Sequence, residues 1–515
     1  DYKKEPDTND KLDERNSKWV NDDYAKFIRY AEYLICRTGK GLVAYINPHG
    51  WLDNPSFRGM RWHLLRSFDS IYVVNLHGNA NKAEKAPDGL KDENVFDIRQ
   101  GVCINIFVKT TDSNDFAKVY YADLWGDRES KYAWLDDMDF SSVEWTEAHP
   151  EPPMYYMISR DSSNEDSYRK GFSVKDLFIE KTMGITTGND AAVYRDSKEE
   201  AECIISELLS SGSIGETREY KGWTYESAAA DLRAGYQITR ICFRPFEQKY
   251  TAYTGNSTGW MTRPRPEIMP SMRRNNIALV STRLVQKGDF HHAFVTDAPT
   301  DKGILSGKDN AYVFPLWIYR HELGDYIPTS NLDSRIVNEI KKRIAVEADE
   351  GIPGNETDEQ MIFDYVYGVL WSSAYREKYQ VFLKEDYPIV PYPDSLESFL
   401  AISDCGGQLR HLHTMRSNDI SVTATFPIAG DNKVTNVKRV GDKVYINKFQ
   451  YIGNVPDSAW EEEIGAYKPA QKLLKDSKGE TLTYSTISGY QKAIAILEKT
   501  GEIRAKLDAI LYSHG

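Results

Sequence analysis

Hydrophobic and polar positions follow helical and strand-like periods in the first third of the chain. Residues 20–35 place apolar side chains at helical spacing, and residues 57–68 repeat this pattern. The segments LVAYIN (42–47), IYVVNL (71–76) and VCINIFV (102–108) are short continuous apolar runs, typical of strands that are covered on both faces. The order helix, strand, helix, strand, strand predicts an α/β fold for this region.

The connection at residues 77–95 is rich in Gly, Asn, Asp and Lys and has no apolar period. A loop of this length inside a compact domain is usually functional or mobile. It offers no clear crossover helix, so we expect the strand at 102–108 to run antiparallel to the strand before it. The sequence therefore predicts an α/β sheet that ends in an antiparallel strand.

The rest of the chain has a different pattern. A polar, Pro-containing stretch at residues 149–166 leads into short strands and turns, and we expect a domain boundary there. Amphipathic helices are predicted at 198–210, 334–345, 360–383 and 486–511. We interpret them as core or support elements.

Composition limits the class of protein. The 64 basic and 77 acidic residues give a net charge of −13, and 41% hydrophobic with 27% charged residues is ordinary globular composition. This excludes disorder, collagen and a disulfide mini-scaffold as descriptions of the whole chain. No run approaches the roughly 18–20 apolar residues of a membrane helix and no signal core is present, so a cytoplasmic location is expected. The first residue is Asp rather than Met, which suggests part of a longer polypeptide.

Cysteine and histidine spacing gives no sign of a metal centre. The five cysteines are far apart in the sequence and never form a CxxC pair, so we expect buried thiols: Cys36, Cys103, Cys203, Cys242 and Cys405. The pairs His291-His292 and His411-x-His413 have no carboxylate or Cys partners at ligand spacing. We assign no metal from the sequence.

Basic residues cluster in two places although the whole chain is acidic. Lys and Arg neutralise phosphates, and Arg also reads guanine edges, so a nucleic-acid surface is expected there. The first cluster begins in TRPRPEIMPSMRRNN and continues to Lys287. The second cluster, in DNKVTNVKRVGDKVYINK, predicts a β-hairpin with a Gly-Asp turn. The alternative is that these residues are a solvated face or pair with the many carboxylates. The candidate DNA-binding residues are Arg263, Arg265, Arg273, Arg274, Arg283, Lys287, Lys438 and Arg439.

Long segments along nearly the whole chain carry a family resemblance: DDYAKFIRYAEYLI, NPHGWLDNPSFRGMRWHLLRSFDSIYVVNLHGN, DENVFDIRQGVCINIFVK, FRPFEQKYTAYTG, RPRPEIMPSM, HHAFVTDAPTDKGILS, YVFPLWIY and VYINKFQYIGNVP. In this order they resemble the C-terminal part of type ISP restriction-modification enzymes. The early segments are similar to the N6-adenine DNA methyltransferase module of that family, and the later ones to its target-recognition region.

The resemblance implies an α/β region followed by an α+β region. Residues 1–160 would form the C-terminal half of a class I (Rossmann-like) methyltransferase sheet with an antiparallel last strand. Residues 161–420 would form a mixed target-recognition domain, and residues 421–515 its closing β-hairpin and helical segment.

The implied function is sequence-specific recognition of duplex DNA and adenine-N6 methylation from S-adenosylmethionine in restriction-modification or phage defence. The glycine-rich cofactor turn and the NPPY catalytic motif of such enzymes are absent, so the chain alone is expected to be inactive. The implied partners are double-stranded DNA, the missing N-terminal methyltransferase half, and translocase or nuclease regions. No membrane partner is implied.

The resemblance gives one residue a catalytic role. A base that is to be modified leaves the duplex and is held by aromatic stacking, and Phe96 matches the position that stacks on the flipped adenine. The alternative is a core phenylalanine that opens a strand. Asn47-Pro48-His49-Gly50 begins like the catalytic motif but lacks its second Pro and its aromatic residue, so we interpret it as a loop leaving the sheet.

Two other functions stay open. One is a recognition subunit that binds DNA and never methylates it. The other is a carbohydrate-binding protein, because 11 Trp, 33 Tyr and many carboxylates suit sugar recognition.

Overall fold

A computed structural model describes residues 1–515 except 7, 13–16, 82–83, 85, 111–114, 159–162, 216, 323–324, 355, 418–419 and 513–515. The chain divides into two compact units, unit 1 (residues 1–162) and unit 2 (residues 163–515). The predicted boundary between residues 160 and 161 lies outside the described residues.

Unit 1 combines three α-helices with one sheet in the part of the chain that the structure describes. Its helices are α1 (Asp23–Thr38), α2 (Arg58–Ser67) and α3 (Arg128–Asp137), with 3₁₀ turns at Ser17–Asn21, His49–Trp51 and Pro55–Phe57. Its strands are β1 (Gly41–Pro48), β2 (Ser70–Asn75), β3 (Val102–Lys109), β4 (Lys118–Asp123) and β5 (Thr146–Ala148). The predicted helices at 20–35 and 57–68 and all three predicted strands are confirmed within a few residues.

The sheet of unit 1 has the strand order β1-β3-β2-β4-β5. Strand β3 runs antiparallel to β2, as predicted, and also antiparallel to β1. Strand β4 runs parallel to β2. The prediction that β3 is the last strand of the sheet is wrong, because β3 is an inner strand and β4 and β5 follow it in the chain. The last strand is β5, which also runs antiparallel to its neighbour, β4. Strands β1, β2 and β4 therefore share one direction, and their carboxyl ends meet at one edge.

Strand β1 departs from the predicted burial. Its side chains alternate between exposed and partly covered, and Leu42 and Ile46 are 60% and 50% exposed. The prediction of a strand covered on both faces is wrong here because a continuous apolar run fixes the strand but not what packs on each face. Among the described residues, β1 pairs on one side only, with β3.

Unit 2 is built of short helices, hairpins and small sheets. Its helices are α4 (Glu165–Arg169), α5 (Val174–Leu177), α6 (Asp190–Val193), α7 (Lys198–Ser211), α8 (Tyr225–Arg233), α9 (Met269–Met272), α10 (Ser334–Arg343), α11 (Asp358–Trp371), α12 (Ser373–Lys378), α13 (Gln380–Leu383), α14 (Leu396–His413), α15 (Asp457–Glu461), α16 (Pro469–Asp476) and α17 (Tyr484–Tyr512). Its strands are β6 (Phe172–Ser173), β7 (Thr182–Met183), β8 (Gln237–Arg244), β9 (Glu247–Tyr253), β10 (Ala278–Thr282), β11 (Ala293–Thr296), β12 (Ala311–Pro315), β13 (Trp317–Glu322), β14 (Asp325–Ser330), β15 (Ile389–Val390), β16 (Lys438–Val440), β17 (Lys443–Tyr445) and β18 (Tyr451–Ile452).

The largest sheet of unit 2 has the order β11-β10-β12-β7, and its inner strand β10 is buried along its whole length. Helix α11 is buried from Met361 to Trp371 and packs on α14, where a β-carbon at Gly406 would clash with the carbonyl oxygen of Asp364. One hydrophobic cluster joins these helices to α17. The overall architecture is mixed α/β with several small sheets.

The predicted helix at 360–383 is wrong as one element. The chain forms α11, α12 and α13 there, and Ser372 between the first two has extended backbone angles. The Ser372 hydroxyl accepts a hydrogen bond from the Tyr375 amide and donates one to Asp508 at 2.7 Å. A serine that caps a new helix competes with continuation of the old one, and apolar periodicity does not reveal this.

The predicted basic hairpin is confirmed. Strands β16 and β17 pair antiparallel around a Gly441-Asp442 turn, and Gly441 has a φ of +62°. The expectation of buried thiols is wrong for Cys36 and Cys203, which lie on the exposed faces of α1 and α7. None of the helices within the described residues is long and apolar enough to cross a membrane.

Candidate functional site

The carboxyl edge of the unit 1 sheet brings several polar segments together. Chain segments leave this edge after Pro48 of β1, after Asn75 of β2 and after Asp123 of β4. In α/β sheets this edge is the usual place for ligands and catalytic groups, because loops from neighbouring strands converge there. We call it the carboxyl-edge site.

A buried ion pair fixes the long loop after β2. Helix α3 begins after Asp127, whose carboxylate accepts a hydrogen bond from the Ser130 amide, and one turn later it points Lys131 under the loop. The Lys131 ammonium lies 2.6 Å from the Asp92 carboxylate, and both side chains are fully buried. It also donates to the carbonyl oxygens of Leu76 and Glu93. The Lys131 ammonium thus bonds the backbone on both sides of the loop, at Leu76 and at Glu93, and holds these two segments together.

Phe96 lies on the same loop and is 45% exposed. Its amide donates to Asn94 Oδ1 at 2.9 Å, and its carbonyl oxygen accepts from Arg128 at 3.2 Å. The backbone is therefore held while the ring faces solvent. This excludes the alternative of a core phenylalanine, and stacking on a flipped adenine stays a prediction.

A chain of hydrogen bonds connects the two histidines of the edge. His49 Nδ1 lies 3.0 Å from Asn75 Oδ1, and the Asn75 amide nitrogen donates to the Tyr121 hydroxyl. That hydroxyl donates to Asp123, which also accepts from His77 Nε2 at 2.6 Å. The imidazole of His77 stacks on the indole of Trp125.

The carboxylates around His77 shift its pKa. Burial alone would lower the pKa of His77, but Asp123 and Glu84 outweigh burial and raise the pKa above its usual value. Burial alone would raise the pKa of Glu84, and the facing histidines lower it instead. His77 and Glu84 therefore each oppose the effect of burial on the pKa of the other.

The Asn47-Pro48-His49-Gly50 segment has a structural role. Asn47 is buried and its side chain accepts a hydrogen bond from Asn105 of β3, and His49 begins a 3₁₀ turn directly after β1. The chain leaves the sheet here, as the sequence indicated.

The candidate DNA-binding residues of unit 2 fall into two groups by their partners. In the first group Arg263 is exposed, and within the described residues its side chain makes no ion pair or hydrogen bond. Its backbone pairs with Thr186. Lys287 and Lys438 are likewise exposed. Arg274 is exposed and lies over the ring of Tyr326 at 3.4 Å.

The second group is held by the protein itself. Arg283 donates to Asp386 at 3.2 Å, and Arg439 pairs with Asp457. Arg265 has a φ of +61° and donates to the carbonyl oxygen of Gly184. Arg273 donates to Gln237 and lies over Tyr253, and burial lowers the pKa of its guanidinium.

A groove of about 470 Å³ runs beside the basic hairpin β16–β17. We call it the hairpin groove. Its lining combines ammonium groups with amides and one tyrosine, which suits contacts to phosphates and to base edges. The lining residues are Thr435, Asn436, Lys438, Val440, Tyr445, Asn447 and Lys448.

Several of these features were missed in the sequence analysis. His49, His77 and Glu84 converge at the carboxyl-edge site although no ligand spacing joins them along the chain. The Lys131–Asp92 pair joins residues far apart in sequence. The asparagines of the hairpin groove lie next to the basic residues in the sequence, and this proximity could have indicated that both belong to one surface.

Solved structures share this fold. The chain superposes on the ATP-dependent Type ISP restriction-modification enzyme LlaBIII bound to DNA with a TM-score of 0.73 and 21% identity, over 96% of this chain and 35% of that chain. It superposes on the DrdV–DNA complex with a TM-score of 0.69 and 19% identity, over 97% of this chain and 53% of that chain.

A nuclease-deletion mutant of the Type ISP enzyme LlaGI in complex with a DNA substrate mimic gives a TM-score of 0.69 and 19% identity, over 96% of this chain and 41% of that chain. The chain thus spans between about a third and a half of these solved chains. No curated protein matches the chain. The sequence profile described as "Type ISP C-terminal specificity domain" matches residues 176–506. This match covers well over half of the chain, which therefore belongs to the Type ISP C-terminal specificity domain family.

Proposed function

We propose that the chain recognises a short duplex DNA sequence within a restriction-modification enzyme and contributes part of an adenine-N6 methyltransferase fold. The observation that carries this proposal is the match of residues 176–506 to a specificity-domain family. Solved proteins that share the fold, at low identity, have been captured with DNA. The exposed basic side chains of unit 2 supply the positive charge that DNA binding requires, although the net charge of the chain is negative.

We expect the DNA contacts to come from exposed Lys and Arg side chains rather than from those that already pair with carboxylates. Lys438 and Lys448 line the hairpin groove beside Asn436. Ammonium groups neutralise phosphates, and an amide side chain can bond an adenine edge with its donor and its acceptor. Arg283 and Arg439 already bond carboxylates, so their guanidinium groups are more costly to redirect to DNA.

The topology of unit 1 supports the methyltransferase half of the proposal. Strand β3 lies antiparallel between β1 and β2, which run parallel to each other, and an antiparallel strand is expected in the trailing half of a class I methyltransferase sheet. The backbone of β1 is unpaired on its outer side within the described residues, where a further strand of the enzyme could add. In this proposal the exposed Phe96, on the loop that follows β2, stacks on an extruded adenine.

The residues of this chain do not fit S-adenosylmethionine as its main binding site. The sequence has no glycine-rich turn after a strand and no NPPY loop, and the carboxyl-edge site is lined by imidazoles and carboxylates that bond one another. We therefore assign no step of methyl transfer to residues of this chain. In this proposal the cofactor is held by other parts of the enzyme.

The test of DNA recognition is binding to a duplex library at several salt concentrations. Each phosphate contact contributes about −0.9 to the slope of log K against log salt, so Lys438→Ala and Lys448→Ala should each reduce the slope by about 1. Lys499→Ala is the matched control, since Lys499 pairs with Glu502 on the surface of α17. Absent or salt-independent binding would contradict the proposal, and retention on polysaccharides instead would favour the carbohydrate alternative.

The missing cofactor and catalytic motifs favour a second candidate, a recognition subunit that takes no part in methylation. The two candidates differ at Phe96, which only the methyltransferase role uses. Transfer of labelled methyl groups to DNA by a complex that contains this chain, compared with its Phe96→Ala variant, separates them.

A further inference from the structure

Three metal-binding side chains converge at the carboxyl-edge site. His49 follows β1, His77 follows β2, and Glu84 lies in the loop after β2. One ligand atom from each lies within 4.8 Å of the other two, and both histidines are about 95% buried. The two imidazoles meet edge to face, with their ring centres 6.2 Å apart.

The hydrogen bonds around the histidines decide which ring nitrogens carry lone pairs. The Asn75 side-chain oxygen accepts from the His77 amide, and its nitrogen donates to Tyr121, so the orientation of the Asn75 amide is fixed. His49 Nδ1 must therefore donate to Asn75, which leaves the lone pair on His49 Nε2. The Asn79 amide nitrogen, 3.0 Å from His49 Nε2, agrees with this tautomer and would have to turn aside for a metal.

His77 is arranged in the complementary way. Its Nε2 donates to Asp123, so the lone pair of the neutral ring lies on Nδ1. That atom is buried and, among the described residues, makes no hydrogen bond. The nearest carboxylate oxygen of Glu84 is 3.8 Å away. A histidine that gives its other N–H to a carboxylate or amide oxygen is the usual arrangement of a metal ligand, because that bond fixes the tautomer and the ring orientation.

We propose that His49 Nε2, His77 Nδ1 and the Glu84 carboxylate bind one divalent transition-metal ion, with Zn²⁺ as the best fit. Two imidazole nitrogens and one carboxylate, with a further position open, are a zinc ligand set, whereas Mg²⁺ and Ca²⁺ prefer oxygen ligands. A tetrahedral zinc site keeps its donor atoms roughly 3.3–3.6 Å apart. The His77–Glu84 separation is 3.8 Å and all three donor atoms lie within 4.8 Å of one another, so small shifts of these side chains would bring the donors to zinc distances.

Neighbouring residues shape the site from outside. Asp123 and Asn75 hold the two rings, and Trp125 stacks on His77. Gly101 lies against His49, where a β-carbon would overlap the imidazole. A bound ion would join the ends of β1 and β2 to the loop that carries Phe96. The inference does not depend on DNA recognition, because the ligand geometry alone carries it.

The test is Zn²⁺ binding to the metal-stripped chain, followed by calorimetric titration and by the visible absorption of Co²⁺ as a substitute ion. One ion per chain is expected. His77→Ala and His49→Ala should abolish this binding, and Glu84→Gln, which keeps the size of the side chain, should weaken it at least tenfold. His321→Ala, at an exposed histidine of β13, is the control and should bind like the wild type.

A second variant keeps the proposal falsifiable where a histidine variant fails to fold. Asp123→Asn leaves all three ligands in place but weakens the hydrogen bond that orients His77, so we expect a 10- to 100-fold loss of affinity. The proposal is overturned when Zn²⁺ fails to bind at one ion per chain. It is also overturned when folded Glu84→Gln and Asp123→Asn bind Zn²⁺ as tightly as the wild type.

Discussion

The carboxyl-edge site of unit 1 and the hairpin groove of unit 2 are both polar, yet they are built in opposite ways. At the carboxyl edge the polar groups are buried and bond one another, as the fully buried pair of Lys131 and Asp92 illustrates. In the hairpin groove Lys438 and Lys448 are exposed and face solvent.

This difference determines where the substitution of a single side chain affects stability. A buried charge that loses its partner keeps its desolvation cost, so one substitution at the carboxyl edge has a large effect on stability. An exposed charge is hydrated and screened by salt, so each contributes little to folding. The hairpin groove is therefore suited to binding a partner that carries many charges. The carboxyl-edge site is suited to holding its own side chains in one fixed arrangement.

The largest expected effect is at Lys131. Lys131→Met leaves Asp92 buried without its cation and should lower the free energy of unfolding of unit 1 by about 3–5 kcal/mol. Urea unfolding followed by tryptophan fluorescence measures this loss. Lys91→Met is the matched control, because Lys91 is 82% exposed where it pairs with Glu93 and should cost less than about 1 kcal/mol. Similar losses in the two variants would remove the contrast between buried and exposed charge.

The next effect concerns pH and a buried histidine of unit 2. His413 lies between the hydroxyls of Tyr367 and Thr500, and burial lowers its pKa to about 3. The unfolded chain takes up a proton near pH 6.5 that the folded chain does not, so stability falls as the pH drops. This residue should account for a loss of about 2 kcal/mol between pH 7 and pH 5.

Replacement of this histidine tests the assignment. His413→Gln should flatten the pH dependence by about 2 kcal/mol over that range, measured as urea unfolding at pH 7 and pH 5. His321→Gln, at an exposed histidine of β13, is the control substitution. An unchanged dependence in His413→Gln would mean that the buried ring does not resist protonation.

A smaller effect is expected at Phe96. Phe96→Ala should change the free energy of unfolding by less than about 0.5 kcal/mol, because the ring is exposed. It should weaken capture of an extruded base by about 1–2 kcal/mol through lost stacking. Fluorescence of 2-aminopurine in DNA bound to a complex that contains this chain reports the capture.

Ile98→Ala, on the same loop and 48% exposed, is the control for Phe96. Equal capture by the wild type and the Phe96 variant would favour the non-catalytic recognition subunit. Loss of capture in both variants would point to the loop rather than to the aromatic ring.

The smallest effect separates the two groups of arginines in unit 2. Arg263→Ala should reduce the slope of log K against log salt by about 1, because the side chain is available to a phosphate. Arg439→Ala should change the slope less, since Asp457 already holds its guanidinium. Binding of both variants to one duplex across a salt series measures the difference. A larger change for Arg439 would reverse the assignment.

Much of the fold was predictable because local periodicity determines it. Helix α1 begins at Asp23 and ends at Thr38, close to the predicted range 20–35, and the hairpin β16–β17 followed from its Gly-Asp turn. The exposure of Leu42 and Ile46 was not predictable, because it depends on what packs against β1.

The candidate site was less predictable because its bonds join distant parts of the chain. Asn75 meets Tyr121, and His49 meets Asn75, only once the sheet has formed. Phe96 was found through family resemblance and not through spacing. The buried role of Lys131 carries no local signal, since a lysine on a short helix is normally a surface residue.

The burial of Lys131 has a practical consequence for chemical labelling. Its amine is closed to solvent and donates three hydrogen bonds, so amine-reactive reagents should modify it only when the segment around it opens. Mass spectrometry of the labelled chain would then compare the labelling rate of Lys131, which depends on the opening of this segment, with the labelling rates of the many accessible lysines. The rate at which Lys131 is labelled would therefore report how often this segment unfolds locally.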